Sequence, residues 1–369
     1  MRIVLTVNAA WNIVNFRRPL VEFLVARGHH VTVLAPADGS EQALRNMGCA
    51  FVPLKMDAKG LSPISGWRLM RRLKRHFQRL DAEMVLSFTI KNNLFGALAA
   101  RSLGISFIPN VTGLGTAFLS GRALQRVAEG LYRFCFRDLQ VVFFQNEDDQ
   151  ALFLDRGLIT ARQARLLPGS GIDLDSFEAA PLPGGDAPVF LMVARLIRDK
   201  GVMEYAQAAR IVKQTHPQAQ FRILGPMGAE NRSAIPPDVV TAWSSETDLE
   251  YLGETSDVRT YLAAADCVVL PSYREGAPRT LIEAAAMARP LIATDVPGCR
   301  AVVQDGITGF LCQMQSAESL AEACLRFLAL APEQRRSMGL AGRQKMEREY
   351  DQALVVAAYQ QALADVRRR

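Results

Sequence analysis

The chain has only four histidines in 369 residues, and no uninterrupted apolar run approaches the ~20 residues a membrane-spanning helix needs. A helical membrane protein is therefore not expected. Six cysteines, Cys49, Cys135, Cys267, Cys299, Cys312 and Cys324, are scattered with no C-x-x-C pair. They are expected as reduced, mostly structural thiols of a cytosolic protein. Disordered composition is also missing: hydrophobic residues make up 49% and charged residues 22%. The opening MRIVLTVNAA has an apolar stretch too short for a signal-peptide core, and its alternation predicts a first buried strand.

What the chain has is length and an uneven charge. At this length two domains are expected. Residues 1–180 hold 22 Lys/Arg against 15 Asp/Glu, whereas the remainder holds 21 against 22. One basic half and one neutral half imply that the first half meets something anionic. Nucleic acid, a membrane surface and a phosphorylated acceptor all satisfy that requirement.

Short Val/Ile/Leu runs alternate with longer amphipathic segments, the pattern of parallel sheets flanked by helices. RIVLTV, HVTVLA, AFVPL, EMVLSF, SFIPNV, VVFFQ and ARLLP are the expected strands of a first domain, 1–180. Residues 181–187, within the turn-rich PLPGGDAP, are expected as a linker. A second domain, 188–349, takes its strands from PVFLMVA, AQFRILG, LEYLG, DCVVLP and PLIATD. Residues 350–369 are expected to form a helix that packs back on the first domain. The predicted class is α/β, two Rossmann-like doubly wound domains, with the ligand crevice where strand C-termini of both face each other.

Two stretches carry chemistry. In VARLIRDKG a buried strand delivers Arg195 and then Lys200 ahead of a glycine and a helix. Arginine offers a planar fork for phosphate oxygens and lysine a point charge; two solvated charges at a strand end are the plain alternative. In DCVVLPSYREGAPRTLIEAAAMA a strand runs through a loop into a helix. Gly276 permits close backbone approach, and Pro278 sits near the first helical position, where a missing N–H costs nothing. The helix start presents N–H groups and a partial positive charge to a diphosphate. Glu275 and Glu283 flank this turn. Ionised carboxylates only accept hydrogen bonds and suit vicinal hydroxyls, one on a ribose and one on a sugar. A hydrolytic pair would instead face each other across a scissile bond.

With ARLIRDKG, LEYLGETSDVRTYLAAADCVVLPS, YREGAPRTLIEAAAMARPLIATDVPG and DGITGFL, the chain resembles the glycosyltransferases of family 4, which have the two-domain GT-B architecture. The resemblance implies a sugar-nucleotide donor and a retaining reaction. It implies Arg195 and Lys200 on the donor diphosphate, Glu283 on the ribose and Glu275 on the sugar hydroxyls; Arg195, Lys200 and Glu275 are the catalytic candidates. Backbone groups of Gly276, Ala277, Pro278, Thr280 and Leu281 would complete the donor contacts, with Gly225 and Leu252 near the base. GLGTAF, NFRRPL, IKNNLFGALAA and FQNEDD resemble the subgroup that extends polyprenyl-diphosphate-linked oligosaccharides, including N-acetylgalactosaminyltransferases of bacterial protein N-glycosylation. Asn15, Arg17, Lys91, Asn92, Thr112, Gly113, Leu114 and Gly115 are the acceptor candidates on that basis. No histidine falls in PNVTGLGTAF, where many members carry one.

Asp173-Leu174-Asp175 could chelate a metal, but it is read as a structural turn. A helix start with Arg195 and Lys200 already neutralises a diphosphate, so neither metal nor other cofactor is expected.

WRLMRRLKRHFQRL puts Met70, Leu73, Phe77 and Leu80 on one helical face and Arg68, Arg71, Arg72, Arg75 and Arg79 over much of the rest. A second segment aligns Arg122, Arg126, Arg133 and Arg137, with Glu129 a natural ion-pair partner for Arg126 or Arg133. A solvated face over a core explains either helix alone. Taken with the basic half, they favour anionic lipid head groups. The membrane-facing candidates are Arg68, Arg71, Arg72, Arg75, Phe118, Leu119, Arg122 and Arg126. Nucleic acid fits less well, for want of a recognition helix or stacking aromatics. The expected enzyme moves a hexosyl unit, an N-acetylhexosamine, from a UDP-sugar to a polyprenyl-diphosphate-linked sugar, peripherally at the cytoplasmic membrane's inner face. A soluble saccharide acceptor and an inactive sugar-nucleotide-binding partner stay open as alternatives.

Overall fold

The computed structural model describes residues 1–56, 63–114, 122–228, 233–245 and 249–367. The chain divides into two compact units, one of Met1–Gly171 with Gln352–Arg369 and one of Ile172–Asp351. In the first, β1 (Arg2–Thr6), β2 (His30–Ala35), β3 (Ala50–Pro53), β4 (Met84–Phe88), β5 (Ser106–Val111), β6 (Val142–Phe144) and β7 (Ala164–Leu166) form one parallel sheet. Its order is β3-β2-β1-β4-β5-β6-β7. The second unit arranges β8 (Val189–Val193), β9 (Gln220–Leu224), β10 (Glu250–Tyr251), β11 (Cys267–Leu270), β12 (Leu291–Thr294) and β13 (Gly309–Cys312) as β10-β9-β8-β11-β12-β13. In each sheet the order reverses beside its first strand, the point where open α/β sheets take ligands at strand C-termini.

Near-continuous apolar runs arise because both faces of each sheet are covered. Successive residues of β1 show this: Ile3 and Leu5 enter one core, Val4 the other. Helix Pro63–Arg79 closes the second of these with Leu69, Leu73 and Phe77. Helix Gln352–Arg367 closes the first with Val355, Tyr359, Ala362 and Leu363. Emptying one such site, Phe77→Ala, costs about 3–5 kcal/mol. The second unit repeats the scheme, with Phe190 and Met192 on one side of β8 and Leu191 on the other.

Residues 181–187, expected as the linker, lie inside the second unit; the chain crosses between units at Gly171–Ile172 and again at Asp351–Gln352. Long-range arginine contacts explain the difference. Arg343 donates to the Phe177 and Ala286 carbonyls (2.7 and 2.8 Å). Fully buried Arg289 donates to carbonyls of Ala180, Ala263, Ala265 and Met287. Losing its fork leaves buried acceptors unpaired, at about 1–3 kcal/mol each. The six cysteines are free thiols and all are buried. Among the described residues no helix is long and apolar enough to cross a membrane.

Candidate active site

In the second unit the sequence VARLIRDKG leaves β8 and makes a single tight turn, Arg198–Lys200. Gly201 follows at φ 74°, and a Cβ there would lie 2.1 Å from the Pro271 carbonyl oxygen. Only glycine lets the loop after β8 lie against the loop after β11. That contact brings Lys200 to Glu275: Lys200 Nζ donates to Glu275 Oε1, an ion pair that is mostly buried. The Tyr273 N–H, bonded to the Asp199 carbonyl at 2.9 Å, fastens the same loops, and its hydroxyl donates to Glu204 at 2.7 Å. From below, Gly298 admits the backbone of Glu275 and Gly276, whose oxygens would lie 2.6 Å from a Cβ.

Helix Arg279–Ala286 starts at this loop, with Pro278 as its cap rather than its first helical residue. The Thr280 hydroxyl donates to the Val193 carbonyl at 3.0 Å, pinning the helix start to the end of β8. Glu283 accepts from Arg279 Nε at 2.7 Å, one turn back, and is mostly buried. Burial holds its carboxyl above the ordinary carboxylate range, and the Arg279 guanidinium pulls it part of the way back. Arg195 is exposed and has no ion-pair partner among the described residues. Gly225 approaches the Ala194 carbonyl oxygen so closely that a Cβ would lie 2.0 Å away. Its N–H bonds the Gly253 carbonyl and its own carbonyl accepts from the Tyr251 hydroxyl. Leu252, half-buried, donates its N–H to the Ile223 carbonyl at 2.9 Å.

The loop and helix thus gather Lys200, Glu275, Gly276, Ala277, Pro278, Thr280, Arg279 and Glu283 at one end of the sheet. Leu281 departs from expectation. Its side chain is in the core and its N–H turns back to Pro278 (3.1 Å), so the turn's donors for a ligand lie ahead of it. Arg279 was not among the candidates, although an arginine four residues before a helical glutamate is a legible pairing signal. Asp173 accepts from the N–H groups of Asp175 and Ser176 and from the Ser176 hydroxyl, the bonding of a turn.

The first-unit candidates are more dispersed. Asn15 is exposed and bonds the Trp11 carbonyl, while Arg17 is buried over the Phe88 ring at 4.7 Å. Asn92 is fully buried, and its amide serves Thr6 and Thr89 (2.8 and 3.0 Å), so it ties strand ends together instead of reaching an acceptor. Leu114 is likewise core. Lys91, Thr112 and Gly113 are half-buried. Gly115, Phe118 and Leu119 lie outside the described residues. Arg68, Arg71, Arg72, Arg75 and Arg126 are exposed, and Arg122 begins helix Arg122–Phe136. Arg71 stacks over Trp67 at 4.5 Å. Glu129 pairs with Arg156 (3.3 Å), not with Arg126 or Arg133; Arg156 caps the C-terminus of helix Glu147–Asp155.

Two family models match: "Glycosyl transferase 4-like domain" over residues 13–169 and "Glycosyl transferases group 1" over residues 175–345. The N,N'-diacetylbacillosaminyl-diphospho-undecaprenol alpha-1,3-N-acetylgalactosaminyltransferase of Campylobacter jejuni is 25% identical over 97% of both chains. An Escherichia coli UDP-Gal:alpha-D-GlcNAc-diphosphoundecaprenol alpha-1,3-galactosyltransferase is 24% identical over 75% of this chain and 72% of its own. Among solved structures, Anabaena HepE in complex with UDP-glucose superposes with a TM-score of 0.79 at 16% identity, over 99% of this chain and 100% of that one. Sucrose-phosphate synthase from Thermosynechococcus elongatus gives 0.78 at 20% identity over 99% of both. The structural likeness is one of fold, two parallel-sheet domains of the GT-B kind.

Proposed function

The chain belongs to the glycosyltransferases whose domains its two halves match, and on that premise we propose that it moves a hexosyl unit, an N-acetylhexosamine, from a UDP-sugar to a polyprenyl-diphosphate-linked sugar. The reaction takes place at the inner face of the cytoplasmic membrane. The observation that carries the reading is the pairing of Lys200 with Glu275 and of Arg279 with Glu283 at the strand ends of the second unit. A sugar diphosphate brings its own negative charge to Lys200 and frees Glu275 to accept from sugar hydroxyls. A ribose gives Glu283 two hydroxyl donors. Neither carboxylate carries a proton in this scheme.

The transfer is a retaining, front-face displacement. The acceptor oxygen bonds the anomeric carbon on the face the diphosphate leaves, and a diphosphate oxygen takes the hydroxyl proton. Arg195 and Lys200 stabilise the charge that grows on the leaving group, so no metal is needed. The acceptor class is supported by what the two relatives are named for, lipid-diphosphate sugars, and by the basic helix Pro63–Arg79 with exposed Ile64 and Trp67. That helix, with Arg126, is the part that meets the anionic membrane surface.

The test is transfer from labelled UDP-sugars to an undecaprenyl-diphosphate sugar and to a free saccharide, with and without EDTA. Lys200→Ala is expected to lower turnover roughly 10²–10³-fold with a much smaller change in donor KM. Full turnover of that variant at saturating donor removes Lys200 from the chemistry. Transfer to the free saccharide alone overturns the lipid acceptor, and loss of activity in EDTA overturns metal independence.

A further inference from the structure

The three tryptophans sit in three different settings. Trp243 is buried, and Trp67, although exposed, carries the Arg71 guanidinium over its ring at 4.5 Å. Trp11 is 51% exposed. Among the described residues no cation stacks on it, and its one ring contact is with Phe16, T-shaped at 5.1 Å and 89°. A T-shaped pair covers at most one face of an indole, so a large, rigid apolar face is left in water. Among exposed side chains that is the exception that needs a reason.

The place of Trp11 in the fold supplies one. It follows β1 directly, in helix Ala10–Phe16, and the order of the first sheet reverses beside β1. Open α/β sheets take ligands at strand C-termini next to that reversal. The main chain holds the residue there. The Trp11 N–H donates to Asp38 Oδ2 at 2.8 Å, reaching the segment after β2, and the Trp11 carbonyl accepts from the Asn15 amide at 2.9 Å. Neither bond uses the indole, whose own N–H has no partner among the described residues.

The polar groups around the ring are amides and one carboxylate. Asn12 donates to Asn8 at 3.0 Å, and the side-chain oxygen of Asn15 is left available to accept. Asp38 is exposed. No cation joins them: Arg17 is buried over the Phe88 ring and Arg18 pairs with Glu22 at 3.8 Å. A diphosphate or an anionic head group would meet the Asp38 carboxylate without a counter-charge. A neutral pyranose offers an apolar C–H face to the indole and a rim of hydroxyls to the acceptors beside it.

We infer that Trp11 is the platform on which the acceptor's sugar ring stacks, with Asn15 and Asp38 accepting from its hydroxyls. The inference rests on the proposed transfer to a lipid-linked sugar and names the residue that recognises the sugar part of that acceptor.

The full chain, labelled with 15N at tryptophan, gives one indole N–H resonance per tryptophan, and Trp11→Phe identifies the one from Trp11. The unaltered chain is titrated with glucose, N-acetylglucosamine and N-acetylgalactosamine, then with inorganic diphosphate and phosphatidylglycerol vesicles. The Trp11 resonance is expected to shift with a sugar and to stay in place with diphosphate and vesicles. A resonance that ignores all three sugars overturns the platform. So does one moved by vesicles, which assigns the indole to lipid, or by protein concentration alone, which assigns it to a second copy. Transfer kinetics give the second readout. Trp11→Ala keeps both backbone bonds and is expected to raise the KM for an undecaprenyl-diphosphate sugar about tenfold, with donor KM unchanged; Trp11→Phe recovers much of that loss. An unmoved acceptor KM in Trp11→Ala sinks the platform and leaves the lipid-linked reading standing. A sugar-dependent shift in a chain that glycosylates no lipid-linked sugar does the reverse.

Discussion

Two helices of similar length treat positive charge in opposite ways. Helix Pro332–Glu349 in the second unit answers its cations internally, with Arg343–Glu347 and Lys345–Glu349 ion pairs at 2.7 and 2.6 Å. Helix Pro63–Arg79 in the first unit contains no carboxylate at all. The contrast extends to the candidate donor site, where Lys200 and Arg279 each hold a glutamate, whereas helix Pro63–Arg79 has none of its own to offer. Pairing inside the second unit means that a ligand must exchange partners with the protein.

The hardest way to break this comparison is to remove an exchanging partner. Glu283→Gln is expected to weaken UDP roughly 10–100-fold, the worth of hydrogen bonds to a charged group; an unchanged calorimetric affinity would remove Glu283 from the ribose. The same residue sets a pH dependence. Its carboxyl is held above the ordinary range by burial, so UDP affinity falls on acidification at a higher pH than a solvated glutamate would give. Arg279→Gln removes the cation that lowers it and moves that midpoint upward; a downward move contradicts the pairing. For folding the sign reverses, since the raised group favours the protonated native state and its contribution is lost as pH rises through the folded value.

Ionic strength sharpens the contrast next. Exposed charges are screened beyond ~8–10 Å at 0.1–0.15 M salt. The KM for a lipid-diphosphate acceptor is therefore expected to rise severalfold between low and physiological salt, with UDP affinity moving less. Equal sensitivity would mean that the two edges do not differ. The smallest effect is at Lys345–Glu349, a surface pair worth about 0.3–0.5 kcal/mol. Glu349→Gln should scarcely move the melting temperature, and a large drop would show the pairing to be structural instead of compensatory.

The period of the apolar runs was enough to read all seven strands of the first sheet and five of the second. β13 escaped because it begins with Gly309, a poor strand former by itself. Its glycine is explained only by its neighbour: a Cβ would lie 2.1 Å from the Leu291 carbonyl oxygen. Likewise the turn formers of 181–187 announce a turn but not which unit keeps it, since that is settled by Arg289 and Arg343, over a hundred residues away in sequence. In the candidate site, residue types and spacing bring out Lys200, Glu275 and Glu283. They do not distinguish a side chain at the ligand edge from one turned into the core, which is where Leu114 and Asn92 lie.

Gly171 packs against Gln352, where a Cβ would come within 2.5 Å of its Cα, and Ile172 donates to the Tyr350 carbonyl at 2.8 Å. The second unit is thus an insertion within the first, complete in residues 172–351, whereas the first still needs Val355, Tyr359, Ala362 and Leu363 for one of its cores. During vectorial synthesis the later unit is the first to have everything it needs. The sheet that starts at Arg2 keeps one face open until helix Gln352–Arg367 has been made, and a nascent chain stalled before that helix exposes the face to chaperones.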